Sequence, residues 1–239
     1  MLDRFKPENY KSFYDNHIKD KNVLVMGSGP SVNSTNWGNL DIDTILTTSF
    51  FYLNDKIRSL TNIKHVTLTQ LVDLYHPNLI EFLNKNKQCQ IGFEVNGPVS
   101  SMRHFKKFTT EYKDRVVDYW TTDHSNCLHI GVGGRLCLFA MNFLPKTLYY
   151  VGVDGTSENP SKDPENAFRP KSMHQGWDHT RVHSSEGHLK MAKILHTHSV
   201  KNNVNLYNLG EGFDYNISTE YSKIHYPLTK EIINKIKTQ

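Results

Sequence analysis

The chain has 239 residues, of which 37% are hydrophobic and 22% charged, with a formal net charge of +4. That length suits one large domain with a substantial core, and the composition excludes a disordered chain. No Lys/Arg block resembles a nucleic-acid footprint, and no apolar stretch approaches the length of a membrane span.

The N-terminus, Met1 to Tyr14, is polar and broken by Pro7, unlike the apolar run of a signal peptide. Cys89, Cys127 and Cys137 are odd in number and lack metal-ligand spacing, which suits a reducing compartment. The expected location is therefore cytoplasmic, and the sequons at Asn33 and Asn216 carry little weight. Next comes Asn22 to Met26, a continuous apolar run ended by glycine, which reads as a strand buried on both faces. Further strands are expected at Asp41 to Thr48, His65 to Thr69 and Cys89 to Phe93. Leucines at helical spacing run from Leu71 to Leu83, with Pro77 interrupting them.

In the second half, Gly133 to Leu144 is a mostly apolar helix without β-branched residues, ended by Pro145. Thr147 to Val153 reads as a buried strand, Ser185 to Ser199 as a helix, and Val204 to Leu209 as a last strand. This alternation predicts an α/β fold: a Rossmann-like, mostly parallel sheet with helices on both faces. One domain is expected over 1–239, with a lid-like loop at 155–182 and a C-terminal extension at 213–239. In that extension, Leu228 to Lys237 suits a docked amphipathic helix better than a membrane anchor.

Ligands of such sheets sit beyond the carboxyl ends of the strands. The turn Gly27-Ser28-Gly29-Pro30-Ser31 falls there. Its first glycine permits a tight turn, its second lets the backbone approach a phosphate or ribose, and Ser31 is placed to cap a helix whose free N–H groups would receive an anion. Val32 replaces the third glycine of a dinucleotide fingerprint, and no Gly-Lys-Ser/Thr makes a Walker loop. Gly131, Val132, Gly133 and Gly134 open the apolar helix, where glycines serve either as backbone donors or as close packing. Asp154 ends a strand at the same edge, as a loop or sugar ligand or as a structural cap.

His174, His179, His183 and His188 crowd one region. They admit a metal site, a surface cluster or a general base. No His-Glu-x-x-His occurs, and His183 is the best placed base, because it precedes a helix N-terminus at the ligand edge. No Gly-x-Ser-x-Gly elbow supports hydrolase chemistry.

Four blocks in order resemble the bacterial lipooligosaccharide sialyltransferases, glycosyltransferase family 42. Asn22 to Ser31 is similar to the family's opening strand and Gly-x-Gly-Pro-Ser turn, and Ser49 to Lys56 to its Asn-x-Phe-Tyr-x-x-Asp-Lys block. Ile130 to Asp154 resembles its glycine-helix-strand-Gly-x-Asp segment, and His183-Ser184 the segment supplying its base. Three positions depart from the pattern: Ser49 replaces a nucleotide-binding Asn, Val132 replaces a donor-binding Ser, and 155–182 contains no tyrosine where the family has two.

The resemblance implies transfer from a nucleotide sugar, of the CMP-sugar class, to a glycan acceptor, with His183 as base and no metal. It also implies donor contacts at Gly27, Ser28, Gly29, Pro30, Ser31, Ser49, Gly131, Val132, Gly133 and Asp154, and a place in lipopolysaccharide or glycan synthesis. The chain is also similar to the DUF115 family, which includes archaeal 6-hydroxymethylpterin diphosphokinases. That alternative would need magnesium, and a non-catalytic nucleotide-binding module is the third reading. Peripheral membrane contact and homo-oligomerisation stay open at this level.

Overall fold

Short apolar runs closed by polar or glycine turns become seven strands in the structure, a computed structural model that describes residues 8–69, 72–95, 103–121, 131–154, 167–168, 185–210 and 234–235. The strands are β1 (Asn22–Met26), β2 (Thr44–Thr48), β3 (Ile63–Thr69), β4 (Gln90–Val95), β5 (Val116–Thr121), β6 (Thr147–Val151) and β7 (Asn205–Asn208). All pairings are parallel, in the order β5-β4-β3-β2-β1-β6-β7. The sheet is thus wholly rather than mostly parallel among the described residues.

Helix α1 (Glu8–His17) precedes the first strand, and α2 (Ser31–Ser34), α3 (Asp55–Arg58), α4 (Pro77–Lys85), α5 (Arg103–Glu111), α6 (Val132–Met141) and α7 (Ser185–Asn202) lie between strands. A parallel sheet needs cover on both faces, so its strands are apolar on both. Leu24 and Met26 of β1 join one core layer with Leu79 and Phe82 of α4 and Phe105 and Phe108 of α5. Val23 and Val25 join the other, with Tyr14 of α1, Leu136 and Cys137 of α6 and Leu195 of α7. The expectation of helices on both faces is met.

Strand β2 is fully buried although three of its five residues are threonine. Two of the three hydroxyls reach backbone carbonyls: Thr44 Oγ1 donates to that of His17 (2.6 Å) and Thr47 Oγ1 to that of Met26 (3.2 Å). His65 of β3 is likewise buried, with Nδ1 2.8 Å from the Tyr14 hydroxyl and Nε2 2.9 Å from Thr67 Oγ1.

Several boundaries differ from the sequence expectation. Pro77 does not interrupt α4 but begins it, with His76 Nδ1 accepting from the Asn78 amide as a cap (3.2 Å). Helix α6 stops at Met141, and Leu144 turns the chain with φ +52°. Strand β6 stops at Val151 because Gly152 adopts φ +70°. Four elements were absent from the expectation: α1, α3, α5 and β5. Helix α1 is polar overall and is held by Tyr14, packed on Phe139 and Phe143. Helix α5 offers only Phe105 and Phe108 as buried apolar contacts, too few for a periodic pattern.

The chain builds the sheet outward from β1 to β5, then returns to place β6 on the other side of β1. Connections therefore diverge beyond the carboxyl ends of β1 and β6, which opens the crevice where ligands of such sheets bind.

Candidate functional site

Gly27 to Ser31 and Gly152 to Asp154 meet at that crevice. The Gly27 amide donates to the Val151 carbonyl (2.8 Å) and the Gly29 amide to the Gly152 carbonyl (2.7 Å), so the turn continues the β1–β6 pairing. Ser31 then donates twice to Asp154, from its amide to Oδ2 (2.8 Å) and from its hydroxyl to Oδ1 (2.6 Å). The same Ser31 Oγ accepts from the Gly152 amide (2.8 Å). Asp154 is 5% exposed. Burial raises its pKa, and the two Ser31 bonds pull the other way.

These contacts revise the reading of the turn. Ser31 does not leave donors open for an anion: Asp154 takes its amide, and the Val32 and Asn33 amides donate to the Gly29 and Pro30 carbonyls. The single-turn α2 thus has its first N–H groups satisfied, with a carboxylate already at its start. The glycines also have an internal reason. A Cβ on Gly29 would lie 2.4 Å from Asp154 Oδ2, and one on Gly27 would lie 2.2 Å from the Gly152 carbonyl oxygen. Gly210, just beyond β7, closes on the same group, since its Cβ would sit 2.4 Å from Asp154 Oδ1. Three strand ends therefore wrap one buried carboxylate.

The second glycine segment joins through Val153. A Cβ on Gly133 would come within 2.7 Å of Val153 Cγ2, which also lies 3.1 Å from the Cβ position of Gly27. Close packing is therefore one reason for glycine at 133. The other reading also keeps its footing: Gly131 precedes α6 without a side-chain cap, so the Val132, Gly133 and Gly134 amides have no intrahelical acceptor. Gly131, Val132 and Gly133 are half-buried, as are Ser28, Gly29 and Pro30. Two half-buried backbone edges thus flank Val153, one bearing the uncapped end of α6.

Ser49 lies where β2 ends. It is buried, turns the chain with φ +32°, and its Oγ reaches Thr69 Oγ1 at 3.4 Å. Asn54 caps α3 by accepting from the Ile57 amide (3.2 Å) and donates to the Ala167 carbonyl (3.0 Å). The Ala167 amide in turn donates to the Ser28 carbonyl (2.8 Å), and Phe168 is buried in the core layer of α4. Ala167 and Phe168 are the described part of the expected 155–182 loop, and they fasten it to the glycine turn.

His183, His174 and His179 lie outside the described residues, as does most of 213–239, and the side chain of His188 is not described. Helix α7 begins two residues after His183 and runs back to the parallel strand β7, so its N-terminus is at the carboxyl edge. Among the described residues no group of three His, Cys, Asp or Glu side chains is placed to hold a metal, and no helix is long and apolar enough to cross a membrane. The sequence reading missed one polar pair at this edge, Glu94 with Arg135. Their separation of 41 residues left no local pattern to find.

No family model and no curated protein matches the sequence. Solved structures do. The monofunctional α-2,3-sialyltransferase Cst-I from Campylobacter jejuni is 21% identical, with a TM-score of 0.59 over 89% of this chain and 81% of that one. CstII from Campylobacter jejuni, in complex with the substrate analogue CMP-3FNeuAc, is 16% identical with a TM-score of 0.56, covering 89% and 88%. CST-II with a trisaccharide acceptor and CMP gives 16% and 0.51, covering 83% and 84%. The likeness expected from four sequence blocks thus extends through the sheet and its helices, and the chain has the fold of the Campylobacter sialyltransferases.

Proposed function

We propose that this protein is a glycosyltransferase that moves a sugar from a CMP-linked donor to a hydroxyl of a glycan. The observation carrying this reading is the convergence of Gly27–Ser31, Gly131–Gly133 and Gly152–Asp154 on the β1–β6 switch point of a sialyltransferase-like fold. The nucleotide lies along the two half-buried edges beside Val153. The uncapped amides of α6 and the positive end of its dipole stabilise charge as the phosphate departs. Asp154 does not touch the phosphate in this reading. It keeps Ser31 and three glycines in place, so the crevice is formed before the ligand arrives.

The proton of the attacking hydroxyl goes to His183, as the resemblance implies, and the 155–182 segment keeps water from the donor. The transfer needs no metal. Calorimetric titration with CMP, UMP and ATP, each in EDTA and in magnesium, tests the assignment. CMP binding that is unchanged by EDTA is expected, together with release of CMP from CMP-N-acetylneuraminic acid. ATP binding that appears only with magnesium would favour the diphosphokinase alternative instead.

A further inference from the structure

The Ser28–Gly29 peptide is held at both of its polar atoms. Its N–H, on Gly29, donates to the Gly152 carbonyl (2.7 Å), and its C=O, on Ser28, accepts from the Ala167 amide (2.8 Å). A trans peptide points these two groups in opposite directions, so the bonds pin its plane from opposite sides. The pin matters because Gly27 and Gly29 flank Ser28, and glycine restricts the backbone less than any other residue.

Ala167 is itself fixed from two further directions. Its carbonyl accepts from Asn54 Nδ2 (3.0 Å), and the next residue, Phe168, is buried in the core layer of α4. Asn54 uses its other amide atom as well, since Oδ1 accepts from the Ile57 amide (3.2 Å) and caps α3. One planar side chain thus joins the start of α3 to Ala167, and Ala167 joins it to the glycine turn. The far end of that turn is held by Asp154 through Ser31. The chain therefore leaves the turn after Asp154 and is back on it at Ala167. Position 54 is one that the Asn-x-Phe-Tyr-x-x-Asp-Lys pattern leaves unspecified, so the resemblance assigns it no role.

Resting on the glycosyl-transfer reading, we infer that Asn54 is a positioning residue for the nucleotide: through Ala167 it holds the Ser28–Gly29 peptide in the orientation that the nucleotide meets. It touches no ligand itself. Loss of the Nδ2 bond loosens Ala167 from Ser28 and lets a peptide set between two glycines rotate. The ligand must then order an edge that the wild-type protein holds ready.

Asn54→Ser and Asn54→Ala separate this role from the cap. A serine oxygen caps α3 as the asparagine oxygen does, adds no charge, and is too short to reach Ala167; alanine does neither task. Urea unfolding should find Asn54→Ser close to the wild type and Asn54→Ala less stable. Calorimetry should find CMP binding weakened about fivefold in both, the scale of one lost hydrogen bond. Hydrogen exchange followed by NMR should find the Ala167 amide protected in the wild type and about tenfold faster or more in both variants. If serine restores CMP affinity along with stability, Asn54 only caps α3 and the inference fails. An unprotected Ala167 amide in the wild-type protein overturns it too, and that measurement needs no variant. A wild-type protein that binds no CMP removes the glycosyl-transfer reading itself, while the exchange rates still decide whether Asn54 holds the turn.

Discussion

Ser31 and Asp154, 123 residues apart in sequence, are joined by two hydrogen bonds that tie the end of the first strand's turn to the corner after the sixth strand. The carboxylate is buried, and Gly29, Gly152 and Gly210 surround the pair without side chains of their own. This relationship makes the crevice a property of the fold before any ligand enters it.

Asp154→Ala should therefore act on stability first. It removes the acceptor of both Ser31 bonds and leaves a buried amide unpaired, a loss of about 2–4 kcal/mol. Urea unfolding followed by circular dichroism measures it. An unchanged midpoint with lost nucleotide affinity would instead make Asp154 a ligand contact.

Gly29→Val should also destabilise, because a Cβ there meets Asp154 Oδ2 at 2.4 Å and the Gly152 carbonyl oxygen at 2.9 Å. The expected cost is about 2 kcal/mol or more, the scale of a forced shift in a packed core. Nucleotide affinity should fall together with the melting temperature. A mutant with wild-type stability that fails only in binding would show that the glycine serves the ligand rather than Asp154.

His65 should make the protein acid-sensitive. Burial lowers its pKa from 6.5 to about 3, so the ring is neutral in the fold and protonates more readily in the unfolded chain. Its contribution is present above the unfolded pKa and is lost as pH falls from about 6.5 towards 3, at up to about 1.4 kcal/mol per pH unit. His65→Gln should flatten this slope in denaturation curves taken between pH 4 and 7, whatever its effect at neutral pH. An equally steep slope in the variant would assign the acid sensitivity to other groups.

His183→Ala should lower turnover roughly 100-fold or more with donor affinity little changed, the signature of a lost general base. The acid limb of the pH–rate profile, where the base is protonated, should vanish with it. Near-normal turnover across the histidine range would place the base elsewhere.

Much of the fold was legible in the chain itself. Val23 to Met26 and Leu148 to Val151 are apolar on every position, which only a strand covered on both faces uses. Glycine after strand marked the turn at Gly27, whereas the apolar pattern carried the sixth strand on to Val153 and only the φ of +70° at Gly152 makes a corner there. Local pattern failed where a helix gains its stability from one or two anchors, as α1 does from Tyr14 and α5 from Phe105 and Phe108. What surrounds the turn emerged only in three dimensions. The sequence offered Gly29 as room for a ligand and Ser31 as a cap. The folded chain fills that room with Asp154, because the switch in strand order brings β6 against β1. Glu94 and Arg135 meet for a similar reason: α6 packs on β1, β2 and β6, and from its first turn Arg135 reaches the end of β4. Periodicity records which face of an element is covered, but the partner of a polar side chain depends on strand order and helix crossing, which no local window contains.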